Sequence, residues 1–143
     1  FTQVTHDAAA PAILGGNRVT LLDGAVSQDW QSSEGLPVLP RDLTVTVAWQ
    51  ALQPMDFDYN VFVHAVDAAG NRVAQWDGQP QRAGEAYPMT TWPVGEIVQN
   101  SYRLELDPAA APVQRVDVGL YNWQTGERLP VNGDDKVMLE VGP

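Results

Sequence analysis

Leu43-Thr44-Val45-Thr46-Val47-Ala48-Trp49-Gln50 is the stretch that decides the fold. Leu43, Val45, Val47 and Trp49 alternate with Thr44, Thr46 and Gln50, and a period of two puts the apolar set on one face of a strand and the polar set on the other. Working outward, β-rich runs recur at residues 17–22, 25–30, 59–66, 72–76, 96–106, 114–121, 128–131 and 136–141, punctuated by Gly, Pro, Asn and Asp. In residues 59–66, Val61, Val63 and Ala65 share one face and Phe62, His64 and Val66 the other. That strand is expected at the centre of a sheet, covered on both sides. Asp67-Ala68-Ala69-Gly70-Asn71 predicts a hairpin turn with Gly70 at positive φ, and Gln124-Thr125-Gly126-Glu127 predicts another turn. Asp23-Gly24 closes the first run, and residues 31–41, 77–95 and 107–112 read as Pro-containing loops and connections.

Roughly eight or nine short strands at about ten-residue spacing predict an all-β fold, a single antiparallel two-sheet sandwich, immunoglobulin-like or jelly-roll-like. Residues 1–16, with Ala8-Ala9-Ala10-Pro11 and Gly15-Gly16, read as a linker or N-terminal extension; residues 17–143 form the sandwich domain. No βαβ alternation appears, which removes dinucleotide-binding folds.

The chain has 143 residues, long enough to bury a core in one domain. It has no Cys, so thiolate chemistry and disulfides are excluded. A formal net charge of -10 repels phosphate backbones and anionic lipid surfaces, so no nucleic-acid partner is expected. No apolar run approaches a membrane helix, so no direct membrane insertion is expected of this domain. The chain opens at Phe1 without an initiator Met, and is expected to be a piece of something longer.

Single residues that could carry chemistry have plainer readings beside them. His64 sits mid-strand and reads as a hydrogen-bonded strand His; Ser27, Ser32, Ser33 and Ser101 lack a nucleophile-elbow context. His6 falls in the linker. Asp56 with Asp58, and Asp134 with Asp135, read as turn formers rather than calcium ligands. Glu85, Glu96, Asp77 and Glu127 could supply a glycosidase pair, but spacing alone does not pair them. No catalytic residue, no metal and no cofactor is expected. The aromatics stand out: among five Trp, Trp49 belongs to the alternating core set, while Trp30, Trp76, Trp92 and Trp123 lie at strand ends or in loops. A flat ring beside Asp, Asn or Gln suits a sugar, but Trp also plugs the ends of sandwiches. Trp92, followed by Trp76, Tyr87 and Trp123, is the expected ligand-contacting set.

Longer words carry a resemblance. Leu43 to Leu52, Asp58-Tyr59-Asn60-Val61-Phe62-Val63-His64, Ala74-Gln75-Trp76-Asp77-Gly78-Gln79-Pro80 and Tyr87-Pro88-Met89-Thr90-Thr91-Trp92 are followed by Pro93-Val94-Gly95-Glu96, Val118-Gly119-Leu120-Tyr121 and Thr125-Gly126-Glu127-Arg128-Leu129-Pro130. In order and spacing these resemble the C-terminal extracytoplasmic β-sandwich of bacterial membrane glycosyltransferases of the family 39-like, dolichyl-phosphate-mannose protein mannosyltransferase type. The stretch Ala111-Pro112-Val113-Gln114-Arg115-Val116 departs from that pattern, which has a Pro-Gly turn and an aromatic there. The resemblance implies a non-catalytic accessory domain, tethered outside the cell membrane through a membrane-embedded parent, that binds or positions a glycan or glycosylated acceptor. The alternative is a purely structural or protein-docking sandwich with no small ligand.

Overall fold

A computed structural model of the chain describes residues 12–16, 18–31, 39–106, 113–131 and 134–141, without the side chains at 28–31, 39–41 and 140. The chain runs through β1 (Ala12–Leu14), β2 (Val19–Gln31), β3 (Leu39–Ala51), β4 (Asn60–Asp67), β5 (Arg72–Gly78), β6 (Gln81–Arg82), β7 (Glu85–Ala86), a 3-10 turn (Met89–Thr91), β8 (Ile97–Glu105), β9 (Val113–Tyr121) and β10 (Val137–Glu140). Two antiparallel four-stranded sheets, ordered β1-β2-β3-β8 and β10-β9-β4-β5, face each other, and β6-β7 forms a small hairpin. The all-β two-sheet sandwich expected from the alternating runs is the observed architecture.

The period of two accounts for the core. Leu43, Val45, Val47, Trp49 and Ala51 of β3 are buried, and so are Val98, Asn100, Tyr102 and Leu104 of the neighbouring β8. From the second sheet Val61, Val63 and Ala65 of β4 meet them, with Val116, Val118 and Leu120 of β9 and Leu139 of β10. Phe62 and Val66 are buried too, on the opposite face of β4 and outside that cluster. This is the doubly covered central strand the sequence predicts, lying between β9 and β5. Gly119 makes room there: a Cβ at this position would sit 2.5 Å from the Phe62 ring.

Several boundaries differ from expectation, each for a local reason. Residues 17–22 and 25–30 are not two strands but one, because the Asp23-Gly24 step is a bulge: Leu21 pairs Trp49 and Asp23 pairs Ala48, leaving Leu22 as the extra residue. The bulge switches the inward parity from Val19 and Leu21 to Gly24 and Val26, which is why the alternation breaks there. A second shift between Asp29 and Trp30 admits Pro40 to β3, so the expected loop at 31–41 ends earlier, at Leu39. Ala12–Leu14, inside the expected linker, is an edge strand with Ala12 and Leu14 buried. Residues 128–131 make only isolated bridges. His6, Ser32 and Ser33, with the rest of 1–11 and the connection at 107–112, fall outside the described residues.

Two turns match their chemistry. Gly70 has φ 87°, and the Asp67 carboxylate accepts the amides of Ala69 (3.0 Å) and Asn71 (2.8 Å). Gly126 has φ 78°, and its amide donates to the Asn122 carbonyl at 2.7 Å.

The segment 77–95 is not a bare loop: it holds the β6-β7 hairpin and the 3-10 turn. Asn100, buried on β8, fastens this hairpin. Its amide accepts from the Gln81 N–H (2.9 Å) and donates to the Gln81 carbonyl (2.6 Å), so one side chain pairs like a strand residue. The Tyr102 hydroxyl donates to the same Asn100 oxygen at 3.0 Å, and burial pushes the Tyr102 pKa far up.

Candidate functional site

Antiparallel pairing brings the ends of β3, β5 and β9 and the starts of β2, β4 and β8 to one end of the sandwich. Gly15, Gly16 and Arg18 and the segments 52–59, 79–96 and 122–131 gather there, and with them Tyr87, Trp92 and Trp123. The four aromatics singled out from sequence separate into distinct settings.

Trp92 is buried, with 4% of its surface exposed. Its indole N–H donates to the Tyr87 carbonyl at 2.9 Å, and the Tyr87 ring lies 5.7 Å away, centroid to centroid. The Tyr87 hydroxyl donates to Glu96 at 2.9 Å, while Arg82 donates to that hydroxyl (3.3 Å) and lies over the ring at 5.3 Å. This corner plugs the sandwich, and the expected leading contact, Trp92, presents no open ring face. Trp76 is half-buried on β5 and stacks on Tyr102 at 4.4 Å, bridging the two sheets at their β5 and β8 edges. The side chain of Trp30 lies outside the described residues.

Trp123 differs. It is 51% exposed, yet its indole N–H donates to the Asp58 carbonyl at 3.1 Å. Its ring packs on Phe57 (5.7 Å), and Phe57 packs edge-on against Tyr59 (5.3 Å). The Asp58 carboxylate is itself used as a brace, accepting the Thr90 amide (2.9 Å) and hydroxyl (2.6 Å). Asp58 therefore joins the exposed aromatic to the loop that carries Trp92.

The row of rings leads into a cleft of about 310 Å³ lined by Arg18, Tyr59, Asn122, Glu127, Arg128 and Pro130. Arg18 donates to the Tyr59 hydroxyl at 2.9 Å, and that hydroxyl donates to Asp56 at 3.1 Å. Burial, then the hydrogen bond to Asp56, holds the Tyr59 pKa above its ordinary value. Arg18 also lies 3.7 Å from Asp56, so the wall is an ordered Arg–Tyr–Asp chain. An exposed ring beside convergent hydroxyl, amide, guanidinium and carboxylate groups can hold a polyhydroxylated molecule.

The four carboxylates considered from sequence are dispersed. Glu127 lines this cleft, Glu96 is tied to Arg82 and Tyr87, Asp77 lies on the outer face of the second sheet, and Glu85 is exposed on β7. Asp134 and Asp135 engage Lys136 and, for Asp135, Arg128. The Asp134 carboxyl is held below its ordinary pKa chiefly by the Asp135 amide. Among the described residues no group of at least three His, Asp or Glu side chains is placed to hold a metal ion, and no helix is long and apolar enough to cross a membrane.

Sequence reasoning missed Arg18, Tyr59 and Asn122 as cleft residues. Each sits at a strand end or just beyond it, and only the packing of those ends makes them neighbours.

Fold and cleft together define a β-sandwich domain with a polar loop-end cleft beside one exposed tryptophan. No protein-family model, curated protein or solved structure matches the chain.

Proposed function

We propose that this domain is a non-catalytic module that binds or positions a glycan at its loop end, with Trp123 as the stacking platform and Arg18, Asn122 and Glu127 as hydroxyl partners. The observation that carries it is Trp123: a half-exposed indole pinned through its N–H to Asp58 rather than left mobile. A ring ordered before binding costs little entropy when a sugar face settles on it. The proposed setting, tethered outside the cytoplasmic membrane through a glycosyltransferase-like parent, rests on the sequence resemblance alone.

A second reading, docking without a small ligand, is favoured by exposed Ile97, Val94, Leu52 and Ile13. Ile13 and Ile97 lie in one row across the first sheet, through Thr20 and Gln50, and the Gly95 amide bonds the Ala51 carbonyl beside them.

Tryptophan fluorescence titrated with mono- and oligosaccharides separates the two. A saturable change that disappears in Trp123→Ala and persists in Ile97→Ser supports the glycan reading. A flat response across the panel overturns it.

A further inference from the structure

The outer face of the second sheet carries a shallow hollow of about 270 Å³, lined by Phe62 and His64 of β4, Arg72 and Asp77 of β5, Tyr121 of β9, and Arg128. Arg128 also lines the loop-end cleft, so the two depressions share a wall. The Arg128 guanidinium lies 4.2 Å over the Phe62 ring and is held by Asp135 at 3.2 Å.

Arg72 reaches this face through a bulge. Ala65 pairs Ala74 and Val66 pairs Arg72, leaving Val73 as the extra residue of β5. Without it, Arg72 would share the parity of Ala74 and Trp76 and point into the sandwich. With it, Arg72 joins Gln75 and Asp77 on the outside, beside His64. Bulges re-aim side chains in this way at functional surfaces.

The electrostatics there are unusual for this chain, which has 18 Asp and Glu against 8 Lys and Arg. Arg18, Arg82, Arg103, Arg115, Arg128 and Lys136 each touch a carboxylate. Among the cations whose side chains are described, Arg72 alone does not; its partners are Gln75 Oε1 (2.7 Å) and His64 Nε2 (3.5 Å). Of the nearby carboxylates, Asp77 accepts from Gln75 at 3.1 Å and lies 3.9 Å from His64 Nε2, and Asp117 is pinned by Arg115 at 3.0 Å. Asp135 compensates Arg128, so Arg72 is the guanidinium of this lining without a carboxylate contact.

We infer that this hollow is an anion site, in which the Arg72 guanidinium, flanked by His64, binds the carboxylate of a small acidic ligand. Naming that ligand an acidic sugar, with its ring on the Trp123 side of Arg128, rests on the glycan reading; the anion site does not. A guanidinium fork matches a carboxylate with two parallel N–H bonds.

Binding is coupled to a proton. The groups facing His64 are Arg72 and Asp77 of β5, Asp117 of β9, and Arg128. Burial, then the charge of Arg72, holds its pKa below the ordinary value, with Asp77 opposing, Arg128 adding and Asp117 opposing. With Arg72 donating to Nε2, the neutral ring carries its proton on Nδ1. An oxyanion on Arg72 cancels that guanidinium's charge, so occupancy raises the His64 pKa. Affinity therefore rises as pH falls through the imidazole range.

The test is NMR of the His64 ring in the whole chain, carrying His6→Gln to leave one histidine. It is titrated with glucuronate, glucose and inorganic phosphate while tryptophan fluorescence is followed, the Trp123 response being the part that Trp123→Phe removes. Glucuronate is expected to shift His64 and raise its pKa, glucose to leave it in place, and Arg72→Gln to weaken glucuronate by about tenfold. Arg103→Gln, on the other sheet, serves as the unchanged control. His64 and Trp123 responding together establishes an acidic sugar. His64 responding to glucuronate with Trp123 silent keeps the anion site and sinks the glycan reading. A Trp123 response to sugars with His64 unmoved does the reverse. A response to phosphate alone, or an unchanged affinity in Arg72→Gln, overturns the carboxylate site.

Discussion

Trp92 and Trp123 sit in loops at the same end of the sandwich, and both spend their indole N–H on a backbone carbonyl. One is 4% exposed and the other 51%. Trp92 has Tyr87 beside it and the core below, so its ring is a plug. Trp123 has Phe57 on one side only, so its ring is an anchored surface. A hydrogen-bonded indole is thus no sign of a structural role; what decides is how much of the ring the neighbours leave open.

The largest effect expected from this contrast is on stability. Trp92→Ala should cost about 3–5 kcal/mol in urea unfolding through the cavity it leaves. A loss below about 1 kcal/mol would show that the corner is looser than its packing implies. Next come two changes that loosen other attachments. Asn100→Leu leaves the Gln81 amide and carbonyl without their partner and should cost about 1–3 kcal/mol, with hydrogen exchange at Gln81 accelerating first. Gly119→Ala forces a Cβ against Phe62 and should cost about 1–3 kcal/mol, with the nearby Arg128 and His64 signals displaced.

Trp123→Ala is expected to cost under about 1 kcal/mol, as exposed positions do, while removing the saccharide response. Equal destabilisation by Trp92→Ala and Trp123→Ala would erase the distinction between a plug and an anchored surface ring. The smallest effect concerns pH. His64 has a lowered folded-state pKa, so the unfolded chain takes up a proton first as pH falls. Its contribution to stability is present above about pH 6.5, the unfolded value, and is lost as pH drops through the folded value. A urea-midpoint profile should sag in that window, and His64→Gln should flatten it.

Much of the fold was legible because burial has a period. Leu43 to Trp49 alternates cleanly and became the inward face of β3, and the two-sided run from Val61 to Val66 became the central strand. Legibility failed where a bulge broke the period, at Leu22 and again at Val73, since one inserted residue exchanges inside for outside. It failed for Ala12–Leu14 as well, where three residues are too few to show a pattern.

The site was less legible. Trp92 sits between Thr91 and Pro93 and Trp123 between Asn122 and Gln124; both read as loop tryptophans, and neither triplet by itself states which ring is covered. The sequence by itself determined that the chain alternates, turns and closes into a β-sandwich, because burial period and turn chemistry are local. Tertiary structure alone decided which tryptophan faces water and which arginine lacks a carboxylate, because exposure and charge pairing depend on segments distant in the chain. Arg72 stands beside His64 only once β5 has folded back on β4 with its extra residue at Val73.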